Sequence, residues 1–186
     1  HKDAWEYGGG SVWNAPAYDA KSGLLYFGTG NPSPQINDTT RPGDNLYTAS
    51  LVAIRAKTGA YAWHFQQIPH DKWGYDVASP AVLFDHREPD GRVVPAVGQA
   101  SKLGWFYVHD RASGALLYKS EPFVQQDNLF AGASKEGTRI TPGVAGGVNW
   151  SPVAVDVGRG LAFVAAMHMP MRYWIKESTA TAGKPA

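Results

Sequence analysis

Pro69-His70-Asp71-Lys72-Trp73-Gly74-Tyr75-Asp76 places one imidazole and two carboxylates beside two aromatic rings within eight positions. Imidazole and carboxylate are the side chains that most often move protons in a reaction, so the stretch reads as a working loop more than as a core strand. His70 has two readings: a base, since free imidazole titrates near neutrality, or a structural hydrogen-bonding group. The other histidines, His1, His64, His86, His109 and His168, show no paired spacing that suggests zinc.

The elements that must present this loop are strands. Glycine (21), proline (13) and aromatics (7 Trp, 9 Tyr, 7 Phe) are plentiful, and charged residues make up only 18% of the 186 positions. Short aromatic strands joined by tight turns have this profile, so the expected fold class is all-β. With 17 basic and 16 acidic side chains, and neither sign in a block, no nucleic-acid groove is indicated. Cysteine is absent, which excludes disulfides and thiolate metal sites. No run approaches the roughly 20 apolar residues of a membrane span. The opening His1-Lys2-Asp3 lacks the pattern of a signal peptide, and the chain is expected to be a piece of a longer polypeptide.

Trp13 to Gly23 and Trp150 to Gly160 form an internal repeat, with Trp, Ala, Asp and Gly coinciding at an offset of 137 residues. Divided by three, that offset gives periods of roughly 46, the length of a four-stranded propeller blade. Two hairpins of a second kind, Leu51 to Phe65 and Phe106 to Tyr118, turn at Gly59 and Gly114. Their returning aromatics, Trp63 and Tyr118, are expected to pack between neighbouring blades. Segments 31 to 46 and 122 to 147 break the rhythm, and long loops on a repetitive scaffold are where function usually sits. The Ser, Thr, Ala and Gly tail at 177 to 186 is expected to be disordered.

Four ordered motifs carry a family resemblance: Gly8-Gly9-Gly10-Ser11-Val12-Trp13, Tyr26-Phe27-Gly28-Thr29-Gly30-Asn31-Pro32-Ser33-Pro34, Arg41-Pro42-Gly43-Asp44-Asn45 and Pro69-His70-Asp71-Lys72-Trp73. Together they resemble the pyrroloquinoline quinone (PQQ) dependent alcohol dehydrogenases, from about residue 5 to about residue 170. The resemblance implies one segment, residues 1 to 186, of a β-propeller with four-stranded antiparallel blades, about three of eight. It also implies a periplasmic location, PQQ, and Ca²⁺ or a lanthanide. An alcohol or polyol would be the substrate, a cytochrome c or membrane quinone the electron acceptor, and the remaining blades would be partners.

By the same resemblance Trp13 matches the indole that lies on the quinone ring, a contact suited to a planar electron-poor cofactor. Asn31 matches an amide ligand to the metal, and an amide oxygen suits Ca²⁺. Lys102 matches the cation that reaches the quinone oxygens, with Asn149 and Trp150 also near the cofactor. One departure stands out: the family's catalytic aspartate follows the motif tryptophan, and here that position is Gly74. Asp76 is then the first candidate base and a candidate metal ligand, turned inward by the freedom of Gly74, and Asp71 is the second base. Loss of the aspartate leaves an alternative, a non-catalytic propeller acting as a binding or assembly scaffold.

Overall fold

The computed structural model describes residues 3–176, so the tail at 177–186 lies outside the described residues. Two four-stranded antiparallel sheets dominate. One holds β1 (Ala17–Asp19), β2 (Leu24–Gly28), β3 (Ser50–Arg55) and β4 (Tyr61–Gln66) in that order. The other holds β5 (Val82–Arg87), β6 (Val93–Ala100), β7 (Phe106–Asp110) and β8 (Leu116–Lys119), again in sequence order. The remaining strands pair as a ribbon of β9 (Thr138–Ile140) with β12 (Met171–Tyr173), and a hairpin of β10 (Ala154–Asp156) with β11 (Leu161–Phe163). Four-stranded antiparallel sheets in which each strand pairs with its sequence neighbour have the form of propeller blades, and the all-β expectation holds.

The spacing of the blades differs from the expected period. The 137 residues between Trp13 and Trp150 hold two blades, and the third is represented by the β10–β11 hairpin alone. Each unit is longer than about 46 residues because the loop between β2 and β3 and the connection from β8 to β10 are inserted into it.

The repeat itself is the first hairpin of a blade. Ala17 faces Tyr26 and Asp19 faces Leu24, as Ala154 faces Phe163 and Asp156 faces Leu161. In each, the aspartate accepts backbone N–H groups of the turn, from Lys21 at 3.1 Å and from Arg159 at 3.1 Å. Gly23 and Gly160 then sit at φ +68° and +65°, a left-handed conformation that favours glycine. Four residue identities 137 apart are therefore the chemistry of one tight turn used twice.

Blades one and two dock through Trp63. Its ring covers Gly114, where a β-carbon would come within 2.6 Å, and its Nε1 donates to Arg111 O at 3.0 Å. Tyr26 Oη donates to the same carbonyl at 3.0 Å. The interblade role expected for Trp63 is thus present. Tyr118, its counterpart, is 50% exposed and lines an open groove of about 850 Å³ beside β10–β11. The described part of the third blade has no β7–β8-like turn to receive it.

Candidate active site

The loop at 69–76 is tied down by its own first aspartate. Asp71 is fully buried, and its carboxylate accepts the backbone N–H groups of Trp73 (2.8 Å), Gly74 (3.1 Å) and Tyr75 (2.7 Å). Burial pushes its pKa up, and those three N–H groups pull against that shift. The two loop aromatics turn inward: Trp73 and Tyr75 join Ala49, Ile68, Leu103, Leu129 and Ile140 in one core cluster. Asp71 therefore shapes the loop and offers no exposed surface to a substrate, against its expected role as second base.

The segment at 31–46 is clamped onto this loop by a residue to which sequence reasoning gave no role. Arg41, 2% exposed, donates to Pro34 O (2.6 Å), Asn45 Oδ1 (2.6 Å) and Asp71 O (2.8 Å). Asp38 adds a second clamp, meeting His70 Nε2 at 2.8 Å and Lys72 Nζ at 2.7 Å. Those partners hold the Asp38 carboxyl well below the usual carboxylate range. His70 Nδ1 bonds Gly43 O, so both ring nitrogens are committed to the neighbouring loop and the structural reading of His70 prevails. The Arg41 motif was visible in the sequence; its partners lie up to 30 residues away and were not.

Gly74 adopts φ +85°, and a β-carbon there would collide with the Gln35 side chain. The turned peptide aims its carbonyl at Lys102, whose Nζ donates to Gly74 O at 2.8 Å and to Asp76 Oδ1 at 3.3 Å. The Lys102 and Asp76 side chains are only 8% and 13% exposed. A cradle of glycine shapes this pair: a β-carbon on Gly146 would press within 2.5 Å of Lys102 Cγ, and Gly147 N–H donates to Lys102 O at 2.6 Å. Asp76 Oδ2 points the other way, 3.4 Å from where Gly30 would carry a β-carbon and so beside the Asn31 loop.

The aromatic candidates meet across the repeat. Trp13 and Trp150 stand edge to face with centroids 6.5 Å apart, and both indoles are exposed, by 45% and 69%. Asn14, next to Trp13, donates to Val77 O at 2.9 Å, which ties that indole's segment to the residue after Asp76. Asn149 donates to Ala145 O at 3.0 Å, and its buried Oδ1 has no partner among the described residues. Asn31 donates to Pro32 O at 2.7 Å through Nδ2. Among the described residues no three His, Asp or Glu side chains gather as a metal site.

The loops between the blade strands thus carry a nearly buried ammonium–carboxylate pair and two exposed indoles on a propeller-type all-β scaffold. The chain belongs to the PQQ-dependent glucose/ethanol/alcohol dehydrogenase β-propeller family, whose profile matches residues 1–126 and 119–185. It is similar to the quinoprotein alcohol dehydrogenase PedH of Pseudomonas putida, with 34% identity over 92% of this chain and 32% of that protein. The quinohemoprotein alcohol dehydrogenase of Comamonas testosteroni superposes with a TM-score of 0.81 at 33% identity, over 91% of this chain and 28% of that one. A europium-containing methanol dehydrogenase superposes with a TM-score of 0.84 at 31% identity, over 98% of this chain and 34% of that one. The chain spans about a third of the length of the curated relatives it matches.

Proposed function

We propose that this chain is the cofactor-bearing segment of a longer, periplasmic PQQ-dependent dehydrogenase that oxidises an alcohol or polyol, with the remaining blades completing the ring. The observation that carries the reading is the nearly buried Lys102–Asp76 pair, whose flanking residues Val77 and Gly146 lie against Asn14 and Lys102, in the segments that carry the exposed Trp13 and Trp150 indoles. A planar quinone with polar edges fits these residues. Indole faces supply its apolar contact, Lys102 a cation for its oxygens, and the buried Asn149 Oδ1 an acceptor for a ring N–H. Asn31 and Asp76 would hold Ca²⁺ or a lanthanide through hard oxygen donors, with a further acidic ligand from an upstream blade.

When bound, PQQ with its metal supplies the electrophilic carbonyl that accepts the alcohol's hydride. This chain's residues do the rest. Asp76 takes the hydroxyl proton on Oδ2, the oxygen turned away from Lys102. Lys102, already ordered by Gly74 O, stabilises negative charge as it develops and needs no rearrangement to do so. Asp71 and Arg41 keep the loop from relaxing around Asp76. Electrons would leave to a cytochrome c or a membrane quinone.

The test is reconstitution of the full-length protein with PQQ and Ca²⁺ or La³⁺, read by quinone absorbance and dye-linked alcohol oxidation, in parallel with Asp76→Asn. Expected are quinone uptake, turnover abolished by chelator, and a loss of at least about 100-fold in kcat for Asp76→Asn, the usual scale of general-base removal. Uptake without turnover on any alcohol would favour the scaffold alternative, whose support is the side chain missing at Gly74.

A further inference from the structure

Gly74 and Gln35 share one volume. A β-carbon at position 74 would strike Gln35 Nε2 and come within 2.9 Å of Gln35 Cδ, with Val144 Cγ2 at 3.3 Å. The Gln35 carboxamide is fixed there, since Nε2 donates to Trp73 O at 2.7 Å and the backbone carbonyl of Gln35 accepts from Arg41 NH2. A carboxamide whose nitrogen is spent on the loop still has an acceptor oxygen, and Gln35 Oε1 accepts no hydrogen bond among the described residues. Gln35 is half-buried, and Asp76 lies two residues beyond the Gly74 that it covers.

We propose that Gln35 fills the seat left by the side chain missing at Gly74 and selects substrates with a second hydroxyl, a 1,2-diol or polyol. This rests on the dehydrogenase reading above. The reacting hydroxyl donates to Asp76, and its neighbour donates to Gln35 Oε1. An amide oxygen is far too weak a base to take a proton, so Gln35 holds and orients while Asp76 receives the proton. A simple alcohol leaves that acceptor to water, so a substrate that brings its own second hydroxyl is favoured by the net worth of one hydrogen bond.

Two measurements on the full-length protein test this. The first is a double-mutant cycle in unfolding stability with Gly74→Ala and Gln35→Ala. Backbone strain at position 74 is common to both backgrounds and cancels, so the coupling reports the shared volume. Gly74→Ala should perturb the unfolding equilibrium constant at least about tenfold less when Gln35 is already Ala; additive effects would overturn the shared seat.

The second compares kcat/KM for 1,2-propanediol and 1-propanol in protein loaded with PQQ and Ca²⁺. Gln35→Met keeps the length of the side chain and removes the acceptor. The diol preference should fall by about tenfold, the weight of one hydrogen bond, through the KM of the diol and with quinone uptake unchanged. A ratio unaltered in Gln35→Met overturns the proposal alone, whereas a wild-type protein that takes up no PQQ overturns the dehydrogenase reading and this one with it.

Discussion

Lys102 Nζ sits 2.8 Å from the carbonyl oxygen of Gly74 and 3.3 Å from the carboxylate of Asp76, so the position without a side chain contributes through its backbone. A glycine at φ +85° can present that carbonyl where most residues would be strained. Both charged groups are nearly buried. Removing the cation by Lys102→Met leaves Asp76 uncompensated, and a broken buried pair costs about 3 kcal/mol or more. Denaturant unfolding of the full-length protein should show that loss, and PQQ titration should show weakened uptake. Unchanged stability would mean that the pair is solvated.

Asp71→Asn should destabilise the loop by about 3 kcal/mol, because a carboxylate accepting three backbone N–H groups is replaced by an amide with one acceptor oxygen. Hydrogen exchange at Trp73, Gly74 and Tyr75 should accelerate together. Protection retained at all three amides would rule out the organising role given to Asp71.

Asp38 sets an acid limb on stability. Its folded pKa is depressed by Lys72 and His70, so its contribution is present above the unfolded carboxylate value of about 4 and is lost as pH falls through the folded value. Asp38→Asn should cost about 1 kcal/mol at pH 7, the scale of a part-exposed ion pair, and the gap to wild type should close below about pH 4. A gap independent of pH would exclude this linkage.

His109 sets a second slope, nearer neutrality. The ring is fully buried, Nδ1 bonds Gly114 O at 3.1 Å, Nε2 has no partner among the described residues, and burial lowers its pKa. The unfolded chain binds a proton below about pH 6.5 that the folded chain resists, so stability should fall as pH drops through that value. His109→Phe keeps the ring packing against Phe65 and Tyr107 and should flatten this slope. A slope of unchanged steepness in His109→Phe would place its origin elsewhere.

The 186-residue chain on its own should show no dehydrogenase turnover with added PQQ and Ca²⁺. Two blades and a single hairpin cannot close a ring, and their open sheet edges invite association. Turnover by a monomeric preparation in a dye-linked assay would show that the missing blades are dispensable.

The sequence by itself determined the local devices. The Asp-to-Gly turn of β1–β2 and β10–β11 is written within a few residues, the strands follow from aromatic runs between turns, and the motif at 69–76 marks the address of the site. Local chemistry of this kind needs no knowledge of what lies across the molecule. The tertiary structure decided everything that depends on contacts between distant segments. It buried Asp71 and left Asp76 on Lys102, brought Trp13 against Trp150, and set Gln35 into the volume at Gly74. It also replaced three short periods with two long blades. A side chain's type names the chemistry available to it; burial and partners, fixed when the blades pack, choose which of two carboxylates is open to use it.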